Sequence, residues 1–413
     1  MNCQSPVLVA LCLALLTTGC QYPSRPQPLP NISGQPVPEK SPQPPSSVAT
    51  VVVWPQATPS APAPLISTAA TVDGRLCSQP PRVAHDNIIR QGFLVAGDGN
   101  STWLIGKAPN ENSSLAIDND LSLAVSPTTY DIGWISADNS IRILRRNGET
   151  TAVTRPESTG LIDQWLSDNR ILLRVVVSDD YLTPKLAIDT VNETSIITGQ
   201  SLLHTVTMPG YLARGIRYNT WRSIPEYDPH FRFAVYAWQD PVELTTEGLA
   251  LWNIRDQRIV WEQTWLIPVE LSAVDWQADG SRFVTSIPNS EGNPELVVVA
   301  TDGTPQTVTT LSRDFDYNSE YFIPSLKWSS DGQSIAFVVN LDSPQILDDR
   351  WLFVANLAST QTVNLCLNLP RSSTALHWSP DSQQIAFASD DNHRIGIYDI
   401  PTATVWYIRL YRK

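Results

Sequence analysis

A spaced motif near the C-terminus constrains this chain more than any other feature. Trp378-Ser379-Pro380-Asp381-Ser382 is followed by Ile385-Ala386-Phe387. About fifty residues earlier stands Trp328-Ser329-Ser330-Asp331-Gly332, followed by Ile335-Ala336-Phe337. Before that comes Trp276-Gln277-Ala278-Asp279-Gly280, followed by Phe283-Val284. The internal spacing is the same each time, so each unit reads as strand, turn, strand. Asp followed by Gly suits a two-residue hairpin, because Gly tolerates positive φ and Asp bonds to nearby backbone.

Each unit continues with a third β-rich run (residues 394–400, 351–357 and 295–300) and a fourth (403–409, 361–367 and 306–311). Four antiparallel strands in about fifty residues is the size of one propeller blade. Weaker copies lie upstream. Glu226-Tyr227-Asp228-Pro229-His230 precedes Phe233-Ala234-Val235, and residues 248–254 supply a third strand. Trp165-Leu166-Ser167-Asp168-Asn169 precedes Ile171-Leu172-Leu173 at one residue less, with 185–189 as third strand. Val125-Ser126-Pro127 precedes Ile132-Gly133-Trp134, with 141–144 next. Residues 93–96 and 102–105 look like two strands of a further, partial unit.

The pattern Trp-Ser-Pro-Asp-Gly-x-x-Ile-Ala-Phe, followed by a strand like Arg394 to Ile400, resembles the WD-like repeat of TolB-type propellers. The same repeat occurs in prolyl-peptidase-like proteins. The likeness covers about residues 86–411 and implies an all-β propeller of four-stranded antiparallel blades, six to eight in number. Six units and one partial unit point to seven. The resemblance also implies that a strand from the far end of the chain completes the partial blade. The repeat residues Trp276, Trp328 and Trp378 read as wedges between blades. Asp279, Gly280, Asp331, Gly332, Pro380 and Asp381 read as turn formers.

The N-terminus carries a different message. Residues 7–16, VLVALCLALL, form an apolar run of signal-peptide length. It ends in Thr17-Thr18-Gly19-Cys20, which resembles the bacterial lipobox: small residues fit the peptidase, and the thiol accepts the lipid. Two positions depart from that pattern, Thr17 and a start without Lys or Arg. The resemblance implies an acylated (palmitate-bearing) lipoprotein with Cys20 as attachment site, facing the periplasm or the exterior of a bacterial envelope. An ordinary cleaved signal peptide and an uncleaved anchor are the alternatives. Residues 21–66 are rich in Pro, Gln and Ser, a composition that favours extended, unfolded chain and suits a spacer. The expected organisation is 1–19 signal peptide, 20–66 anchor Cys and linker, and 67–413 propeller. In TolB-type proteins an α/β domain precedes the propeller. Residues 21–66 offer no counterpart, so a Tol-complex role is not carried over.

The chain has five Cys and a formal net charge of −13. Only Cys77 and Cys366 fall in the folded part. In an exported chain they can pair with each other or remain two buried thiols. An acidic surface repels phosphate backbones, which argues against nucleic acid as a partner. The sequence contains no Gly-x-Ser-x-Gly, no His-Glu-x-x-His and no phosphate loop, and its five His are scattered. His230 and His377 stand beside blade turns, where packing or surface roles are the ordinary ones. Asp314, Asp316, Asn318 and Glu320 alternate like the start of a calcium loop, but Ser319 takes the place of the usual Gly. A solvated loop is the competing reading.

No cofactor is indicated. The expected function is a membrane-anchored scaffold that binds a protein or glycan without catalysis. Two alternatives remain: a propeller hydrolase or lyase with carboxylates at the central channel, and a sensor or assembly factor for envelope proteins. The insertions at 201–223 and 342–350 are the expected recognition loops.

Overall fold

The structure is a computed structural model of the 413-residue chain. It describes most residues between 70 and 409. Residues 1–69, 106–122, 176–184, 206–224, 266–272, 313–320, 342–349, 410–413 and several shorter loop pieces lie outside the described set. The chain divides into Met1–Thr58 and Pro59–Lys413, and every described residue belongs to the second unit. The expected signal peptide, Cys20, the linker and the Asp314–Glu320 cluster therefore lie outside the described residues, as does His393. No described helix is long and apolar enough to cross a membrane.

All the regular structure described is β. Two short strands come first, β1 (Ala70–Asp73) and β2 (Arg82–Val83), then a hairpin of β3 (Leu94–Gly97) and β4 (Thr102–Ile105). Sheet I holds β5 (Leu123–Val125), β6 (Ile132–Ile135), β7 (Ser140–Leu144) and β8 (Thr150–Thr154). Sheet II holds β9 (Gly160–Trp165), β10 (Arg170–Val175), β11 (Lys185–Val191) and the short β12 (Ile196–Ile197) and β13 (His204–Thr205). Sheet III comprises β14 (Glu226–Tyr227), β15 (Phe233–Gln239), β16 (Glu247–Asn253) and β17 (Arg258–Trp265). Sheet IV comprises β18 (Val274–Trp276), β19 (Arg282–Pro288), β20 (Pro294–Ala300) and β21 (Pro305–Ser312). Sheet V has β22 (Tyr321–Trp328), β23 (Ser334–Leu341), β24 (Arg350–Asn356) and β25 (Gln361–Leu369). Sheet VI has β26 (Leu376–Trp378), β27 (Gln384–Ala388), β28 (Arg394–Asp399) and β29 (Thr404–Arg409).

Each sheet is an antiparallel meander, and neighbouring sheets meet through their first strands: β5 with β9, β14 with β18, β18 with β22, β22 with β26. This is a β-propeller, as the repeat implied. The count differs. Five sheets, I and III to VI, are complete four-stranded blades. In sheet II the outer position is divided between β12 and β13, two residues each, both pairing with β11. The β3–β4 hairpin has only two strands. Seven complete blades are therefore not formed by the described residues.

Apolar side chains fill the layers between sheets. One cluster joins sheets IV and V through Val298, Leu311, Leu326, Trp328, Phe337 and Phe353. Phe337 and Phe353 are fully buried and stack with centroids 5.4 Å apart. Burying each such ring contributes about 1.5–3 kcal/mol. Comparable clusters join V to VI and III to IV. The strands alternate, so one face of each sheet serves the cluster before it and the other the cluster after it.

The ends of the ring close differently from the expectation. Among the described residues no strand from the C-terminus enters the partial unit: β3 and β4 pair with each other, and β3 packs against β26 and β27. Instead, an N-terminal strap runs along the outer edges of three consecutive blades. β1 adds in parallel to β21 of sheet IV, from Ala70↔Thr309 to Asp73↔Ser312. Cys77 then forms a disulfide with Cys366 of β25 in sheet V. β2 adds in parallel to β29 of sheet VI, where Arg82 N donates to Ala403 O at 3.1 Å and Ala84 N to Val405 O at 2.8 Å.

A bulge prepares β25 for this junction. In β17 and β21 the ladder shifts by one extra residue, Val260 and Val308 respectively. In β25 the register jumps from Trp351↔Asn368 to Phe353↔Asn364, leaving Leu365, Cys366 and Leu367 opposite Leu352. Leu365 and Leu367 stay buried, while Cys366 adopts φ 58° and its N–H donates to Asn364 Oδ1 at 2.8 Å. Bulges re-aim side chains. Here the bulge presents a thiol to the strap.

Candidate functional site

The candidate site is the central channel, and the repeat builds it. The tight turn after each first strand has one architecture in four sheets. Phe231 N donates to Asp228 O (2.8 Å), Gly280 N to Gln277 O (2.8 Å), Gly332 N to Ser329 O (2.9 Å) and Ser382 N to Ser379 O (2.9 Å). The donor residue has positive φ in every case: 58°, 65°, 67° and 58°. The hairpin closes one pair further out, for example Ser329 N to Ser334 O at 2.8 Å. These are four-residue loops, not the two-residue hairpins read from Asp-Gly. The chain needs a left-handed residue at the third loop position to return into the ladder.

Asp331 and Asp381 are turn locks. Asp331 Oδ1 accepts from Ser329 Oγ (2.6 Å) and Gln333 N (3.0 Å). Asp381 Oδ1 accepts from Ser379 Oγ (2.5 Å) and Gln383 N (3.1 Å). Asp279 Oδ1 takes both Ser281 N and Ser281 Oγ. The turns also join each other. His230 Nε2 contacts Asp279 O at 3.1 Å and Arg232 Nη2 donates to Gly280 O at 2.9 Å. Ser330 Oγ donates to Ser379 O at 3.0 Å, and Asp331 N to Ser382 Oγ at 2.9 Å. Gly332 packs its α-carbon against the Gln277 side chain, leaving no room for a Cβ.

The repeat Trp residues do more than fill space. Trp276 Nε1 donates to Glu226 O (3.2 Å), Trp328 Nε1 to Asp275 O (3.1 Å) and Trp378 Nε1 to Lys327 O (3.0 Å). In each case the acceptor is the residue just before the aromatic of the preceding sheet. The indole therefore stitches one first strand to the next. Because side chains alternate along a strand, a Trp turned into the layer between blades sends its predecessor to the opposite side. That side is the channel.

The result is a cavity of about 400 Å³ with two tiers. Gln164, Glu226, Asp275, Lys327 and His377, one from each of sheets II to VI, line the deeper tier. Pro229, Ala278, Ser330 and Pro380, the second residue of each turn, line the other. Sheet I contributes Ala124, Val125 and Ile132, which are apolar, and Ser126.

The charged residues on the deeper tier interact closely. Lys327 Nζ forms an ion pair with Asp275 Oδ1, and Asp275 Oδ2 accepts from Trp328 N at 2.7 Å. The Lys327 side chain keeps 44% of its surface open, toward the channel. Burial works to lower its pKa, but the charge and hydrogen bond of Asp275, with Glu226 behind them, outweigh it and hold the ammonium above its ordinary value. His377 responds the other way. Burial first, then the Lys327 charge, push its imidazole down to about 4, so it is neutral near pH 7. Gln164 Nε2 donates to Tyr227 O at 2.7 Å, tying sheet II to sheet III.

Of the residues singled out from sequence, Trp276, Trp328, Trp378 and Pro380 reach the cavity wall, while Asp279, Gly280, Asp331, Gly332 and Asp381 form the turns around it. Cys77 and Cys366 lie on the outer edge. Glu226, Asp275, Lys327 and Gln164 were missed, and His377 was read only as a packing or surface histidine. The signal was present: each stands immediately before a repeat aromatic. Among the described residues no three His, Cys, Asp or Glu side chains gather as a metal site.

No protein-family description matches the chain, and no characterised protein is similar in sequence. Solved structures resemble it at the level of the fold. TolB from Acinetobacter baumannii is 13% identical, with a TM-score of 0.40 over 70% of this chain and 68% of that one. A periplasmic gluconolactonase of Pseudomonas aeruginosa is 12% identical, with a TM-score of 0.43 over 77% and 96%. An oligogalacturonate lyase in complex with manganese is 12% identical, with a TM-score of 0.41 over 70% and 76%. Enzymes and non-enzymes share this fold, so the likeness carries no function.

Proposed function

We propose that this chain is an exported, lipid-anchored binding protein of a bacterial envelope. In this reading Cys20 carries the lipid, residues 21–66 hold the propeller away from the membrane, and the channel mouth receives a protein or glycan. The observation that supports binding over catalysis is how the channel's ionisable groups are employed. Both oxygens of Asp275 are engaged, one by Lys327 and one by Trp328 N. A carboxylate so occupied is a poor general base. His377, depressed to about 4, is a weak base and carries no proton to give at neutral pH.

A catalytic reading keeps one observation in its favour: Glu226 and Asp275 line the same cavity as His377. Acid–base catalysis by this set would require Asp275 to release Lys327 during turnover.

Two experiments test the proposal. Cells expressing Cys20→Ser are fractionated, and the protein should leave the membrane fraction; retention there removes the anchor from the reading. Cross-linking in intact cells, followed by mass spectrometry, should capture a defined partner through residues at the channel mouth. Cross-links confined to the outer strands would place recognition elsewhere.

A further inference from the structure

The strap is fastened to the ring without being part of its core. Among the described residues it contributes nothing to the apolar clusters. The first N-terminal side chain that joins one is Ile88, packed against Ala386, Ile395 and Ile397 of sheet VI. None of the described residues from Cys77 to Asp86 is buried, and Val83 keeps 58% of its surface open. The ladder is short: four residue pairs with β21 and two with β29. Between them Pro80 and Pro81 have no N–H to donate. A segment with so little buried surface opens locally, well below the free energy of global unfolding.

The disulfide is what prevents that opening. Among the described residues the outer edge of β25 receives no added strand, so sheet V holds the strap covalently, through Cys366. β25 devotes its long bulge and a left-handed cysteine, φ 58°, to that junction, whereas β17 and β21 carry ordinary one-residue bulges. The bond is also within reach of a reductant, because Cys77 is exposed and Cys366 is half-buried. Exposed disulfides are the ones that exchange readily.

We infer that the Cys77–Cys366 bond is a redox latch. While it is closed the strap is fixed; its reduction by a protein dithiol of the Cys-x-x-Cys kind lets residues 70–86 lift from the outer edges and return, without unfolding the ring. The exchange balances. A thiolate of the reductant attacks Cys77 Sγ, the Cys77–Cys366 bond breaks, and Cys366 leaves as a thiolate that takes up a proton. The second thiol of the reductant gives up its proton and attacks its partner sulfur in the mixed disulfide, releasing Cys77. Two electrons pass to the strap's disulfide, and the reductant ends as its own disulfide. Lifting residues 70–86 adds up to roughly 60 Å of extended chain to the spacer before them. That longer tether rests on the lipid-anchor reading; the latch does not.

The test uses the full chain in detergent, without denaturant, treated with reduced thioredoxin or with dithiothreitol. A maleimide–polyethylene glycol reports free thiols, hydrogen exchange read by mass spectrometry reports the strap, and tryptophan fluorescence reports the ring. Reduction should expose two thiols more than the untreated protein shows. Peptides covering Ala70–Asp73 and Arg82–Ala84, where Arg82 N and Ala84 N donate to Ala403 O and Val405 O, should then exchange at least tenfold faster. Fluorescence should stay native, and reoxidation with oxidised glutathione should restore slow exchange. Cys77→Ser should show the fast exchange with no dithiol present. A bond that yields only in denaturant, strap peptides as protected after reduction as before, or loss of native fluorescence on reduction each overturns the latch. Reduction by dithiothreitol but not by thioredoxin overturns the protein dithiol as its operator. Membrane retention of Cys20→Ser alongside success of these measurements removes the longer tether and leaves the latch standing.

Discussion

Replacing Cys77 with Ser cuts the strap loose from sheet V, and its cost can be worked out in advance. The disulfide spans 289 positions of sequence. Chain entropy for a loop of that length gives about 5–6 kcal/mol, at the upper limit of what disulfides deliver. Residual structure in the denatured chain offsets part of this, while the strap's four residue pairs with β21 and two with β29 are common to both proteins. A net loss of about 3–4 kcal/mol is expected. Equilibrium unfolding in guanidinium, followed by tryptophan fluorescence, should show a lower midpoint and a slightly larger m-value, since the denatured chain is no longer cross-linked. Cys366→Gly provides the internal control. It loses the same bond, but it also removes a side chain from a left-handed backbone position at φ 58°. Glycine recovers about 1 kcal/mol there, so this variant should be more stable than Cys77→Ser by that amount. Parent-like stability of Cys77→Ser, or a Cys366→Gly variant less stable than Cys77→Ser, would refute the reasoning.

Other perturbations probe the ring and the channel. Trp328→Phe keeps most of the wedge but strands Asp275 O; a loss of about 1–2 kcal/mol is expected by thermal or chemical unfolding. Gly332→Ala places a Cβ into the Gln277 side chain at φ 67° and should cost about 1–2 kcal/mol, with Ala tolerated only if Gln277 swings away. The pH dependence follows from His377. Its folded pKa, about 4, lies below the ordinary value, so the unfolded chain takes up the proton first. Stability from this group is complete above about pH 6.5 and is lost as pH falls toward 4, by about 3 kcal/mol in all. His377→Gln should flatten that part of the stability–pH curve; an unchanged slope would show that His377 is not the titrating group.

The repeat made the propeller legible in the sequence. Trp at a fixed distance before a left-handed turn residue and an apolar strand is local information, and local information survives in one dimension. It identified the units of sheets IV to VI closely, because their turns carry the favoured Asp and Gly or Ser residues. It was less accurate upstream. Phe231 occupies the left-handed position in sheet III without any glycine signal, and sheet II divides its outer position between two short strands.

The channel followed from the same repeat once alternation was applied: a residue beside an inward-packed Trp must face the other way. What no local rule could supply was company. Asp275 meets Lys327, and Lys327 meets His377, only because sheets IV, V and VI are neighbours around one axis. The shifted pKa values of Lys327 and His377 belong to that juxtaposition and to burial, not to either residue alone. The strap is the clearest division. The sequence determined that two cysteines stood far apart in an otherwise β-rich chain. That they join, and that the bond lies between two parallel edge strands on flanking blades, was decided by ring closure, which brings positions 289 residues apart in sequence onto one outer edge.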